Sequence, residues 1–237
     1  MIFETVYECK DSDNKVIIPI DPGWKTLGIQ LSGGLDSALL TYLTAKTIKE
    51  NGLPINILLI SNDVGNKPPY LPTARIVRNK LQEIILRNFG FDQWAKPYEY
   101  SIPLRESVNP LKLYCSTNHI SALFNLGLID YEFNGITLNP PASVRDQFLH
   151  DDARQCDRDV PSTIYKKYSA SPLAFCDKQG IIELYKEFGI LHDIAPLTFS
   201  CDVNLDHIVD GKIPCGTCWW CDERRWGMTS NGEDSSL

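Results

Sequence analysis

Two short stretches of this sequence hold residue types whose spacing could do chemistry. The first is Ser32-Gly33-Gly34-Leu35-Asp36-Ser37. Its glycines let the backbone come close to an anion, and its two serine hydroxyls add donors. Where such a loop opens a helix, phosphate oxygens also meet unpaired backbone amides and the positive end of the helix dipole. Asp36 adds negative charge that a bare phosphate cradle would repel; it makes sense if it holds the magnesium ion that a nucleotide brings. No Gly-Lys-Ser/Thr follows, so this is not a Walker A loop. The plainer reading is a glycine turn that only joins a strand to a helix.

The second stretch is Cys201-x13-Cys215-x2-Cys218-x2-Cys221. Four thiolates at this spacing match a closed tetrahedral zinc site, which is structural because no coordination position remains for water or substrate. Pro214 and Gly216 shape a tight knuckle around Cys215. The rival readings are a redox Cys-x-x-Cys pair, buried free cysteines, or an iron–sulfur cluster. A further alternative is that His207, between Cys201 and Cys215, replaces one thiolate.

For the first stretch to cradle an anion, a strand must deliver it and a helix must carry the chain away. Thr26 to Leu31 reads as that strand. Ala38 to Glu50 reads as the helix, with Leu39, Leu40, Leu43 and Thr47 at helical spacing and Asn51-Gly52 at its end. Ile55 to Ile60 reads as a buried strand, and strand–helix–strand order argues for a parallel sheet with a right-handed crossover. A loop is expected from Ser61 to Pro72, then a helix from Ala74 to Phe89 with Ile76, Val77, Leu81, Ile84 and Ile85 on one face. Tyr98 to Ile102 and Phe133 to Leu138 read as strands, His119 to Leu128 and Gln179 to Phe188 as helices, and residues 139–160 as irregular. The expected division is an N-terminal extension (1–25), a nucleotide-binding α/β domain (26–195), a metal-binding C-terminal region (196–229) and a frayed tail (230–237).

Composition bounds what these elements serve. The chain has 237 residues, with 23 Lys and Arg against 30 Asp and Glu, a net charge of −7. A balance this acidic argues against a broad nucleic-acid surface. The apolar runs fall far short of the roughly 20 residues of a membrane helix, and Met1-Ile2-Phe3-Glu4 does not read as a secretory leader. A cytoplasmic protein without membrane contact is expected. Four of its eight cysteines crowd into residues 201–221, which in that compartment favours metal over disulfides.

Together the two motifs resemble those of the PP-loop ATP pyrophosphatase superfamily and, within it, the 7-cyano-7-deazaguanine synthase (QueC) family. That family pairs Ser-Gly-Gly-x-Asp-Ser near its N-terminus with Pro-Cys-Gly-x-Cys-x-x-Cys near its C-terminus. The second motif stands here as Pro214-Cys215-Gly216-Thr217-Cys218-Trp219-Trp220-Cys221, with Cys201 as the upstream ligand. Pro172-Leu173, Lys178 and Gly189-Ile190 match as well. Between the motifs Asp63, Gly65 and Asn118 are kept, whereas Ile136 to Phe148 replace the family's substrate-pocket stretch.

The resemblance implies an α/β, parallel-sheet adenine nucleotide α-hydrolase (Rossmann-like) domain with a small C-terminal zinc knuckle. It implies ATP with magnesium: pyrophosphate on Ser32, Gly33, Gly34 and Ser37, with Leu35 in the same loop, and magnesium on Asp36. Lys178 would neutralise charge as pyrophosphate forms, and Asp63, Gly65 and Asn118 would complete the nucleotide site. Zinc would sit on Cys201, Cys215, Cys218 and Cys221. The implied activity is that of an AMP-forming ligase. It adenylates a carboxylate, that of 7-carboxy-7-deazaguanine in the family, and uses ammonia to make an amide and then a nitrile. Two rivals stay open: a PP-loop enzyme that amidates or thiolates another substrate or a nucleic-acid base, and a non-catalytic nucleotide-binding zinc protein. A homodimer is also left open.

Overall fold

The computed structural model describes residues 2–64, 70–102, 118–148, 167–201 and 214–235. In chain order its elements are β1 (Phe3–Glu8), β2 (Lys15–Ile20), β3 (Thr26–Gln30), α1 (Leu35–Glu50), β4 (Asn56–Val64), α2 (Tyr70–Phe89) and β5 (Tyr98–Ile102). A helix at 118–125, here α3, follows. Then come β6 (Tyr131–Phe133), α4 (Ala142–Arg145), β7 (Ser169–Ala170), α5 (Lys178–Glu187), α6 (Leu191–Ile194), a 3₁₀ turn at Ala195–Leu197, and α7 (Trp219–Ser230).

Five strands form one sheet in the order β5-β4-β3-β6-β7, and each neighbouring pair is parallel. Parallel strands need crossovers, and these lay helices over both faces. On one face Leu27, Ile29, Ile57 and Leu59 meet Leu39, Leu43, Val77, Leu81, Ile181 and Leu184 of α1, α2 and α5. The alternate residues Leu58 and Ile60 face the other way, where Leu123 of α3 and Ile129 cover them. The chain passes from β3 to β4 on one side and later to β6 on the other. The sheet order therefore reverses at β3, and ligands of open α/β sheets bind outside the carboxyl ends of the strands at such a point.

Several expected boundaries move. β4 runs on to Val64 and α2 begins at Tyr70, so less of Ser61–Pro72 is loop than expected. Pro72 sits in the first turn of α2, where a missing amide costs nothing. Ile76 is 54% exposed, whereas Ala74, Val77, Leu81, Ile84 and Ile85 are buried. At 100° per residue Ile76 lies roughly 130° round the helix from the centre of that stripe. β6 ends at Phe133 instead of running to Leu138. There Asn134 Oδ1 accepts from Ser171 Oγ at 2.8 Å and from the Ile136 amide at 3.3 Å, and the chain turns out of the sheet.

Residues 3–20, expected within an extension, form a β1–β2 hairpin that shares the main core. Val16, Ile18 and Ile20 are fully buried. The outer edge of β2 donates from Lys15 to the Phe175 carbonyl and from Ile17 to that of Pro172, each at 3.1 Å. At the other end, two residues of the expected tail make contacts with the body: Asn231 Nδ2 donates to the Gln179 carbonyl at 3.0 Å, and Glu233 pairs with Lys186 at 3.1 Å.

Candidate functional site

The glycine loop leaves the carboxyl end of β3, the central strand, and opens α1. Its path is fixed by a hydroxyl couple. Ser32 Oγ and Ser37 Oγ lie 3.1 Å apart, and Ser37 Oγ accepts from the Ser32 amide at 3.2 Å and donates to the Gly34 carbonyl at 3.2 Å. Gly33 has φ +87°, and a Cβ there would come within 2.9 Å of the Ala74 backbone nitrogen. Only glycine meets both conditions. Gly34 caps α1 with no side-chain hydrogen bond. The first-turn amides of α1 thus keep their capacity for an anion. Leu35, expected in the same loop, is the first residue of α1, and its carbonyl accepts from Tyr185 Oη at 2.9 Å.

Asp36 looks from the first turn of α1 toward the start of α5. There the Lys178 ammonium forms an ion pair with it and lies 3.8 Å from Glu223 Oε2 of α7. Lys178 is 2% exposed and Glu223 0%. The sequence reading gave Lys178 to the departing pyrophosphate; the structure places its ammonium inside the protein, on the Asp36 carboxylate. The Asp36–Lys178–Glu223 group carries two carboxylates against one ammonium. Asp177 holds Lys178 in place as N-cap of α5, accepting from the Gly180 amide at 3.1 Å and from Asn14 Nδ2 at 3.0 Å. Burial, and then the charge of Asp36, push Tyr185 well above the ordinary phenol range, so it stays a neutral donor.

Beside the loop, Gln30, Leu31, Ser32, Ile60, Asn62 and Tyr100 line a cleft at the carboxyl ends of β3, β4 and β5. Asp63 is the next residue along β4, facing Ser101 in register. Asn118 begins α3 and is exposed; its neighbour His119 stacks on Tyr100 at 3.9 Å and meets Tyr98 Oη through Nδ1 at 2.9 Å. The start of α3 is thereby brought next to the cleft. Gly65, His207 and all of residues 149–166 lie outside the described residues.

The four cysteines converge. Their sulfurs all lie within 4.8 Å of one another, with Cys218–Cys221 at 3.5 Å, Cys201–Cys218 at 3.8 Å and Cys215–Cys221 at 4.0 Å. Four sulfurs about 2.3 Å from one tetrahedral ion stand about 3.8 Å apart. An iron–sulfur cube would bind each thiolate through a different iron and hold the sulfurs farther apart. The donor set therefore fits a single ion. Hydrogen bonding with Cys201 and Cys218, then burial, raises the Cys221 thiol above its ordinary range when no cation is present.

Glu223 and Arg224 were not singled out from the sequence, though both follow Cys221 on the same helix. Arg224 donates to Thr198 Oγ1 at 2.9 Å, Ser200 Oγ at 3.4 Å and the Ala195 carbonyl at 2.8 Å. Burial lowers its pKa, with Tyr185, Asp36 and Cys221 acting in the opposite sense.

No family model matches the sequence, and no curated protein matches it. Among solved structures it is similar to the U34-tRNA thiolase NcsA from Methanococcus maripaludis, solved with its 4Fe-4S cluster. That match has 14% identity and a TM-score of 0.42, covering 88% of this chain and 66% of that one. It is also similar to NAD+ synthetase from Burkholderia pseudomallei, at 14% identity and a TM-score of 0.33, covering 70% of this chain and 60% of that one. The chain spans less than two thirds of the length of either protein.

Proposed function

We propose that the chain is an AMP-forming, ATP-dependent ligase of the PP-loop type that activates a carboxylate and transfers ammonia to it. One observation carries this reading: an uncapped helix N-terminus and a fixed pair of serine hydroxyls follow the central strand at the switch point of a parallel sheet, with Asp36 alongside. Those amides and hydroxyls would bind the pyrophosphate portion of ATP, and Asp36 would hold the magnesium ion that accompanies it. Lys178 and Glu223 hold the Asp36 carboxylate in place.

In the reaction a substrate carboxylate oxygen attacks the α-phosphorus, and the bond to the β-phosphate oxygen breaks. Pyrophosphate leaves with the electron pair. Ammonia then attacks the acyl carbon, loses a proton and expels AMP, giving the amide. In a second round the amide oxygen attacks the α-phosphorus of another ATP and a second pyrophosphate leaves; loss of AMP and two protons from nitrogen then gives the nitrile. Such transfers depend on positioning and charge neutralisation, which the loop supplies without a covalent intermediate on the protein. The substrate is a deazapurine carboxylate, 7-carboxy-7-deazaguanine, and zinc on Cys201, Cys215, Cys218 and Cys221 is structural.

The test is a mass-spectrometric assay with ATP, magnesium, ammonium and 7-carboxy-7-deazaguanine that scores nucleotide and base together. AMP with an amide or nitrile product is the expected result. No turnover from folded, zinc-loaded protein would overturn the substrate.

A further inference from the structure

Consecutive residues of α7 reach the glycine loop by two routes. Glu223, fully buried, lies 3.8 Å from the Lys178 ammonium, which pairs with Asp36 at the end of the loop. Arg224 grips the segment that passes the loop on its other side, through Thr198, Ser200 and the Ala195 carbonyl. In that segment the Phe199 amide donates to the Gly33 carbonyl at 3.0 Å. Its carbonyl stands where a Cβ on Gly34 would approach to 3.3 Å.

The same helix begins in the four-cysteine knuckle. Cys218 caps it, Cys221 lies in its first turn, and Cys221 Sγ contacts the Ser200 carbonyl at 3.4 Å. Helix α7 packs closely on α5 at Gly227. A Cβ there would meet Lys178 Cγ at 2.6 Å and the Lys178 carbonyl oxygen at 2.8 Å. The knuckle, α7 and the loop are one continuous packed unit.

We infer that Glu223 and Arg224 are positioning residues, through which the cysteine knuckle sets the glycine loop in the shape that receives ATP. The inference rests on the reading of the loop given above. Arg224 suits the task because a planar guanidinium spans several acceptors at once, whereas an ammonium of similar reach satisfies fewer. By linkage, whatever tightens the loop on its nucleotide also tightens α7 on the knuckle.

The experiment compares wild type, Arg224→Met, Arg224→Lys and Glu223→Gln, each loaded with zinc and counted for metal. Hydrogen exchange of residues 33–37 is followed without nucleotide, and magnesium–ATP is then titrated by calorimetry. In Arg224→Met, loop exchange is expected to speed up and ATP affinity to fall by about tenfold or more, with one metal per chain retained. Arg224→Lys should recover part of both, and Glu223→Gln should loosen the loop from the Lys178 side. Unchanged loop exchange in both Arg224→Met and Glu223→Gln would overturn the inference. So would loss of the metal in step with loosening of the loop, since the residues would then serve the knuckle alone. If Arg224→Met does not fold, the lysine and glutamine variants decide. A wild-type chain that binds no ATP sinks the proposed function, while the exchange data still report on the positioning.

Discussion

Asp36 and Lys178 form one pair, yet losing either should have opposite consequences for stability and activity. Asp36→Ala leaves Lys178 with Glu223 as a remaining counter-charge 3.8 Å away. Folding and zinc content should persist while AMP formation is abolished, checked by nucleotide assay and metal analysis. Turnover equal to wild type would remove Asp36 from the reaction. Lys178→Met instead leaves the fully buried Glu223 and the partly buried Asp36 with no ammonium between them. Breaking a buried pair from one side costs about 3–5 kcal/mol. Urea denaturation should show that loss, and the variant should fail as a fold before it fails as an enzyme. The residue types at 32–37 and the four cysteines were legible in the sequence because each motif is local. The partnership of Asp36 with Lys178 was not, because it joins residues 142 positions apart. Nor does a lone lysine at a helix start announce that its ammonium turns inward.

Elements were legible where period and length agreed. Strand β3, helix α1 and the start of strand β4 fell close to expectation, since apolar runs and glycine breaks mark them. Boundaries failed where a side chain competes with the ladder, as Asn134 does at the end of β6, or where proline opens a helix, as in α2. The hairpin was underrated because its weight lies in long-range contacts: Asn14 both donates to Asp177 Oδ1 and accepts from the Asp177 amide at 2.9 Å. At the opposite edge, α2 is fastened to β5 by Arg75 and Arg78 on Glu99, at 2.6 and 3.0 Å. The hydrogen bond from Arg75 leads in lowering Glu99 to a pKa of about 2. An unfolded glutamate titrates near 4.3, so this link stabilises the fold above about pH 4.3 and is lost as pH falls toward about 2. The charges lie near the surface, where salt screens them. Thermal melts of wild type and Glu99→Gln should differ slightly at pH 6 and converge at pH 2. A difference that persists at pH 2 would give Glu99 a role other than charge.

At the scale of the molecule, a parallel sheet with helices on both faces places the cleft, the loop and the knuckle at the carboxyl ends of its strands. No helix among the described residues is long and apolar enough to cross a membrane. The knuckle joins Cys201 to a helix that begins 18 residues later at Trp219, so an ion there fastens α7 to the body of the protein. Chelation should lower the melting temperature by roughly 10 °C or more and free α7 for proteolysis, with recovery on adding zinc. An unchanged melt after complete removal would take the ion out of the fold's stability. The sequence pattern disclosed the sheet and both motifs; that the motifs are mechanically joined through Glu223 and Arg224 emerges only from the packing of α7. The span between Asp36 and its two partners also has a meaning in time. A growing chain makes the glycine loop, then elongates through 187 further residues from Asp36 before Glu223 exists. At about 5–20 residues per second that interval is roughly 10–40 s. Lys178 follows after 142 of those residues, so the phosphate loop is made well before either group that steadies its aspartate, and its final shape waits on chain made much later.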